Sequence, residues 1–224
     1  MTFAQRRVAV AALKAVLDAL LASGVDAASQ EGATLRQLCG ALSTDAVDQV
    51  QAGTFSAPLL ACFSAATASG ATFAGMDQVR QEAQGVTVAD MPVQRVAQTA
   101  AVFALAQMTR ILAATTFTSR QDVDAALARV NAAFLPSEDF AASRFNAAVW
   151  RAVLAMHGAA VRDLTARARP LPRIVPYGFP ARMPLLTLAN RLYGDAGRAD
   201  ELLAENRDTV HPLFMPAVGR ALSA

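Results

Sequence analysis

Lysine, histidine and cysteine are scarce in this sequence, and their scarcity narrows the functions open to it. Lys14 is the only lysine in 224 residues, and histidine and cysteine occur twice each. Neither Cys39 nor Cys62 belongs to a CxxC or Cys/His cluster, so we predict no metal centre and two buried thiols in helices. Charged residues make up 17% of the chain, below the roughly 25% typical of soluble domains. This shortage of charge suggests that partners cover some of the surface.

The motifs that usually carry catalysis are also missing. The sequence contains no GxxxxGK[ST], GxSxG, HExxH or GxGxxG. His157 has no acid or second histidine at metal-ligand spacing, and His211 is predicted to lie in a loop. Asp122 and Asp124 are two residues apart, so they do not face each other on a helix. We therefore predict no catalytic, cofactor-binding or metal-binding residue, no cofactor, and no enzyme activity.

Positive charge is not concentrated anywhere along the chain. Residues 1–168 carry 13 basic and 13 acidic side chains, and residues 169–224 carry 7 basic and 5 acidic. A duplex-binding protein usually presents a basic stripe, so we expect no binding to nucleic acid. The uncharged and strongly apolar run at residues 96–109 is shorter than the about 20 residues of a membrane span. We therefore expect a soluble protein with no membrane span.

What the chain does contain is alanine-rich helical sequence. Hydrophobic residues reach 54%, largely through alanine, which favours helix throughout. Apolar side chains recur at helical spacing over residues 3–23 and 33–52, and residues 93–116 are apolar around most of the circumference, as in the central helix of a bundle. Pro136 is expected to end a helix, and Ser137 to begin the last long one. No alternation typical of a strand occurs before residue 170.

Aromatic residues in that last long helix occur near helical spacing. Phe140, Phe145 and Trp150 form this set. Aromatic stripes of this kind usually face a core, so all three are predicted to be buried.

The composition changes at Arg169. Five prolines lie between residues 170 and 184, so this stretch cannot be helical and is predicted to be extended linker or edge structure. Beyond it, the pattern indicates short helices near 185–193 and 197–206, a turn at Gly194 and an extended tail. The predicted fold class is mainly α, an alanine-rich helical bundle followed by a small α+β module. The predicted domains are a helical domain at 1–168, a proline-rich linker at 169–182 and a compact module at 183–224.

The C-terminal run MPLLTLANRLYGDAGRADELLAENRDTVHPLFMPAVGRAL resembles the end of the DNA-circularisation proteins of Mu-like phages and prophages. That family shows the same order of RLYGD, RADEL, an asparagine, HP and a final proline–glycine turn. The matching residues, for which the resemblance implies structural or attachment roles, include Leu188, Arg191, Tyr193, Gly194, Asp195, Arg198, Ala199, Leu202, Asn206, His211, Pro212, Pro216 and Gly219. The same order resembles a LysM-like module of two short helices and two strands. Family members are longer and begin with a separate domain, so this chain is expected to be a C-terminal portion or a shortened form.

The resemblance implies a structural component of a contractile phage tail baseplate or hub, made in the bacterial cytoplasm and carried in the virion. Its expected partners are the tail tube, hub and tape-measure proteins, together with copies of itself in a ring. Two alternatives stay open. The family name implies a DNA-binding or DNA-circularisation protein, and the LysM likeness implies a peptidoglycan-binding tail protein. The balanced charge argues against the first, and likeness of fold alone does not carry the second.

Overall fold

A computed structural model describes residues 2–86, 90–144 and 147–223. These residues form ten α-helices, two short 3₁₀ helices and one two-stranded sheet, so the protein is mainly helical, as its composition predicts. The helices are α1 (Phe3–Leu21), α2 (Gln30–Thr44), α3 (Ala46–Ala52), α4 (Ser56–Ala68), α5 (Phe73–Gln84), α6 (Met91–Ala114), α7 (Arg120–Arg144), α8 (Ala147–Ala168), α9 (Leu185–Tyr193) and α10 (Ala199–Glu205). The 3₁₀ helices cover Ala196–Arg198 and Pro212–Phe214, and the strands are β1 (Ile174–Gly178) and β2 (Val218–Leu222).

The chain forms two compact units, each built from two stretches. The N-terminal unit comprises Met1–Thr115 and Arg129–Arg162, and the C-terminal unit comprises Thr116–Ala128 and Asp163–Ala224. This division differs from the predicted one at 1–168, 169–182 and 183–224. Within the C-terminal unit, the Arg120 amide donates to the Pro172 carbonyl, and the Gln121 side chain bonds the backbone of Ile174. The proline-rich stretch is therefore tied to the start of α7.

In the N-terminal unit, α6 is the central helix. It packs against α1, α4 and α5, and its buried side chains include Val96, Ala100 and Met108. This confirms the interpretation of residues 93–116. Among the described residues of 3–168 there is no strand.

The length and composition of α6 would also allow it to cross a membrane, and it is the one described helix of which this is true. Half of its most apolar window is buried inside the protein. Burial of this kind is typical of the core helix of a bundle.

Threonine and serine caps begin three helices of this unit. The Thr2 hydroxyl accepts from the Gln5 amide, while the Gln5 side chain accepts from the Thr2 amide, forming a capping box at α1. Ser29 caps α2 and Thr72 caps α5 through their hydroxyls alone, which accept from the amides of Gly32 and Gly75. Each cap satisfies an amide that the first helical turn leaves without a partner.

The prediction that a helix ends before Pro136 is wrong, because α7 continues through this proline to Arg144. A proline inside a helix removes one backbone hydrogen bond. Ser137, which is buried, strengthens the same turn: its hydroxyl donates to the Ala133 carbonyl and accepts from the Gln84 side chain of α5. Tertiary packing therefore outweighs the local cost, and the last long helix begins at Ala147 instead of Ser137.

Some predictions for other side chains of this unit are confirmed and others are wrong. Cys39 and Cys62 are both buried free thiols, in α2 and α4, as predicted. Trp150 is 37% exposed, so its predicted burial is wrong, and Phe140 is half-buried. Phe145 lies outside the described residues.

The C-terminal unit is a small sheet covered on one face by two short helices. β1 and β2 are antiparallel, with Tyr177 opposite Gly219. Helices α9 and α10 begin and end close to the predicted positions. The buried core consists of Tyr177, Leu185, Leu188, Ala189, Ala199, Leu202, Met215 and Ala221. β1 lies inside the stretch predicted to be linker or edge structure, and its Pro176 occupies an edge position, where a residue without an amide hydrogen is tolerated.

Candidate functional site

Three of the motif residues build the core of the C-terminal unit. Leu188 of α9 and Leu202 of α10 are fully buried, and Ala199 is buried where α10 begins. Tyr193 is half-buried and packs against the same cluster. Burying a leucine side chain contributes about 1.5–3 kcal/mol, so these positions account for much of the stability of so small a core.

Three further motif residues shape the turn between α9 and α10. Gly194 has a φ of 71°, in the left-handed region that glycine adopts without strain, and it ends α9. The Asp195 carboxylate accepts from the Gly197 amide at 2.7 Å. Arg198 bonds one carboxylate oxygen of Glu201 through two of its nitrogens, at 2.8 and 3.0 Å. The RLYGD and RADEL segments therefore direct the chain from one helix into the next.

Two motif arginines lie over aromatic rings. The Arg198 guanidinium is 4.1 Å from the centre of the Tyr193 ring, and that of Arg191 is 6.0 Å from the centre of the Phe179 ring. Cation–π contacts at exposed sites contribute about 0.5–1 kcal/mol each. Both arginines therefore have partners inside the unit.

Asn206 bonds the backbone of β2 as a neighbouring strand would. Its amide oxygen accepts from the Arg220 amide at 3.0 Å, and its amide nitrogen donates to the Arg220 carbonyl at 2.7 Å. The same nitrogen also donates to the carbonyl of Leu202 at 2.8 Å. One side chain thereby joins the end of α10 to the sheet.

Position 219 of β2 has room only for a glycine. A Cβ atom at this position would overlap the Asn206 amide oxygen and the Tyr177 ring. The Tyr177 hydroxyl in turn donates to the carbonyl of Pro216 at 3.4 Å. Asn206, Pro216 and Gly219 are therefore one packed group, arranged around the ring of Tyr177.

The hydroxyl of Tyr193 reaches the other end of β2. It accepts from the Leu222 amide at 3.1 Å. Burial raises the pKa of this hydroxyl, although the bond from Leu222 and the charge of Arg198 act in the opposite direction. Tyr193 therefore stays neutral at physiological pH and acts as a structural hydrogen-bonding group.

His211 and Pro212 begin the second 3₁₀ helix. The His211 ring nitrogen Nδ1 accepts from the Leu213 amide at 3.1 Å, and Pro212 occupies the first position, where its missing amide hydrogen costs nothing. All thirteen motif residues thus have structural contacts within the C-terminal unit, and four of them, Asn206, His211, Pro216 and Gly219, line one cleft of this unit.

Sequence reasoning did not find the role of Gln121. Its side-chain amide accepts from the amide of Ile174 at 2.9 Å and donates to the carbonyl of the same residue at 3.0 Å. Gln121 precedes β1 by 53 residues, and a lone glutamine on a helix surface gives no signal of such a contact. Only the tertiary structure brings the two together.

Four large apolar side chains of this unit are exposed in its last fifteen residues. Val210 is fully exposed, and Leu213, Phe214 and Val218 are 57%, 64% and 72% exposed. Val210, Phe214 and Val218 line one cleft of about 850 Å³, which we name the C-terminal cleft. Its charged lining residues are Asp122, Arg182, Glu205, Arg207, Asp208 and Arg220. This volume lies within the range of ligand-binding sites. Exposed apolar side chains that lie close together often mark a surface that binds a partner.

In the N-terminal unit, His157 lies among side chains that satisfy both of its ring nitrogens. Nδ1 is 2.6 Å from a Glu138 carboxylate oxygen, and Nε2 is 2.9 Å from the Asn131 amide oxygen. The ring stacks on Phe134 at 5.0 Å between centres. Within the described ranges, no group of three or more His, Cys, Asp and Glu residues is arranged to hold a metal ion. These contacts fit a histidine that joins α7 to α8.

No model of a known protein family matches the chain, and no curated protein matches it significantly.

Proposed function

We propose that the protein is a structural component of the baseplate or hub of a contractile phage tail, and that its C-terminal unit attaches it to the tail tube or hub. The N-terminal unit supplies a rigid helical body that associates with copies of itself in a ring. The resemblance of residues 183–219 to the DNA-circularisation proteins, and the LysM-like order of helices and strands, support this proposal. In this role the protein needs no catalytic group and no cofactor.

The observation that carries the attachment role is the exposed apolar group formed by Val210, Leu213, Phe214 and Val218. Burying apolar surface is the main driving force of most protein association. The unit that carries this group has its own core, so these four side chains are not needed to fold it. Their exposure is accounted for if a partner covers them in the assembled particle.

A particle-assembly assay tests the proposal. Phe214→Asp places a charge in the apolar group, and we expect at least a tenfold loss of incorporation into particles made by cells that express the remaining tail genes. Leu186→Asp is the matched control, because Leu186 is 62% exposed on α9 of the same unit but does not line the C-terminal cleft. Normal incorporation of the Phe214 variant would show that this surface is not used for attachment.

The two alternative functions give different results in binding assays. A DNA-binding protein should bind duplex DNA at about physiological salt with a dissociation constant of roughly 10⁻⁴–10⁻⁶ M or tighter, and with a steep salt dependence. A peptidoglycan-binding protein should co-sediment with purified cell wall. We expect no DNA binding, since the charged residues of the cleft carry both signs. We also expect no co-sedimentation with cell wall, since likeness to a LysM-like module does not by itself carry that module's function.

A further inference from the structure

The sheet of the C-terminal unit has two edges, and side chains bond part of each. The Phe179 amide donates to the Ala217 carbonyl and the Ser223 amide donates to the Arg173 carbonyl. The odd-numbered residues of the two strands therefore exchange the backbone hydrogen bonds of the sheet, and the even-numbered residues direct their backbone amides and carbonyls outwards. Unpaired edges recruit other chains unless something covers them.

Different residues cover part of each edge. On β1, the Gln121 side chain bonds both backbone groups of Ile174, and Pro176 has no amide hydrogen to offer. On β2, Asn206 bonds both backbone groups of Arg220, and the Tyr193 hydroxyl accepts from the Leu222 amide.

Val218 is the position of β2 that these side chains leave open. Its backbone amide and carbonyl face outwards, and no bond from a described residue reaches them. The residue lines the C-terminal cleft together with Val210 and Phe214. An open backbone pair is therefore found beside the exposed apolar side chains.

We propose that the C-terminal cleft binds an extended segment of a partner polypeptide, which pairs with the backbone of Val218 and covers the side chains of Val210 and Phe214. This inference rests on the proposed attachment role and names the form of the partner. Backbone pairing supplies affinity in such complexes, and pockets for alternate side chains supply specificity. Because Asn206 blocks the next outward-facing position at Arg220, the register of the incoming strand is set by a single residue.

Charge decides which partner fits. The cleft is lined by Arg182, Arg207 and Arg220 and also by Asp122, Glu205 and Asp208. Carboxylates repel the phosphates of nucleic acids and of anionic lipids, whereas a polypeptide can place charges of either sign opposite them. The expected segment carries alternating aliphatic residues with both acidic and basic side chains between them.

The test uses the full chain and synthetic peptides as probes. Fluorescein-labelled ten-residue peptides hold valine or leucine at alternating positions with glutamate and arginine between them, and the comparison peptides have the same composition with the apolar residues adjacent. We expect the alternating peptides to bind more tightly than the others in fluorescence polarisation. Equal binding of the two sets would overturn the proposal, as would no binding at all.

Two variants locate the site. Val218→Pro removes the open amide hydrogen without removing a ladder bond, and should weaken binding about tenfold, close to the loss of one hydrogen bond. Phe214→Ser removes an apolar anchor without touching the sheet, and should weaken binding too, while Leu186→Ser should not. Circular dichroism checks that each variant is folded. Unchanged binding by folded Val218→Pro would refute the backbone pairing, and competition by N-acetylglucosamine oligomers would assign the cleft to a glycan.

The peptide and particle assays separate the two proposals. If Phe214→Asp fails to enter particles but no peptide binds, the attachment role holds and the strand-pairing inference fails. If alternating peptides bind and the Phe214 variant still enters particles, the cleft is a peptide site and the attachment role fails.

Discussion

The two units are stabilised in different ways. The N-terminal unit buries alanine and aliphatic side chains between long helices, and many of its side-chain hydrogen bonds stay within one helical turn, such as Ser23 to Leu20. In the C-terminal unit, side chains bond backbone far along the chain, as in Asn206 to Arg220 and Tyr193 to Leu222. A small core supplies little stability. The C-terminal unit therefore depends on the identity of a few polar residues and one glycine, whereas the helical unit depends on its total apolar volume.

Spectroscopy can follow the two units separately. Trp150, the single tryptophan, belongs to the N-terminal unit, and both tyrosines, Tyr177 and Tyr193, belong to the C-terminal unit. Tryptophan fluorescence and tyrosine ring resonances in NMR therefore report on different units in one sample.

The largest difference should appear when equivalent leucines are shortened in the two cores. Leu202→Ala removes a fully buried side chain of the C-terminal unit and should cost about 2–5 kcal/mol. That is comparable to the roughly 3–5 kcal/mol that so small a core supplies, so the tyrosine resonances should lose their dispersion near room temperature. Leu105→Ala in α6 has the same local cost, but the larger helical core should stay folded and keep its tryptophan signal. If the Leu202 and Leu105 variants lowered the melting temperatures of their own units equally, the two cores would not differ in stability as proposed.

The next effect tests the close approach at Gly219. Gly219→Ala places a Cβ against the Asn206 side chain and the Tyr177 ring and should destabilise the C-terminal unit by about 1–3 kcal/mol. Gly178→Ala is the control in the same sheet, because no atom lies within 4 Å of its added Cβ. We expect the control to change stability by no more than about 0.5 kcal/mol. Urea unfolding followed through the tyrosines measures both, and an equal cost would show that the packing around Gly219 is not the cause.

Removing the Asn206 amide should have a smaller effect. Asn206→Ala loses bonds to both backbone groups of Arg220 and to Leu202, and should cost about 1–2 kcal/mol, because water replaces part of what is lost. Hydrogen exchange at the Arg220 amide should accelerate more than at the amides of α9. Asn190→Ala, on the exposed surface of α9, is the control and should leave that exchange rate unchanged. If Arg220 stays equally protected, Asn206 does not cover the edge of β2.

The smallest effect concerns pH. Burial raises the pKa of Asp122, but hydrogen bonds from Ser119 and Thr118 outweigh it and hold the pKa below its usual value. A carboxyl whose pKa is lower in the folded state stabilises the protein at neutral pH, and this stability is lost as the pH falls below about 4. The free energy of unfolding of the C-terminal unit, measured through the tyrosines, should therefore decrease on acidification. The Asp122→Asn variant should be less stable at pH 7, and its stability should depend less on pH. If its stability changes with pH as that of the unsubstituted protein does, Asp122 does not have this role.

The course of the chain at Pro136 and Gln121 shows where sequence reasoning stops. A proline usually ends a helix, and that local rule predicted a break before Ser137. Burial of Ser137 and its bonds to Ala133 and Gln84 supply a gain that no local pattern contains. Gln121 likewise gives no sign in the sequence that it covers an edge of β1. Both misses concern residues distant in the chain that meet only after folding.

The sequence by itself determined the helical class, the central position of residues 93–116, and the two short helices joined at Gly194. These follow from alanine content, from apolar spacing and from the freedom of glycine at positive φ, all of which act within a few residues. Only the tertiary structure decided that Asn206 and Tyr193 cover part of the edge of β2, that Gly219 makes room for Asn206 and the Tyr177 ring, and that Val218 stays open. A sheet pairs residues far apart in the chain, so its edges exist only once the strands have met.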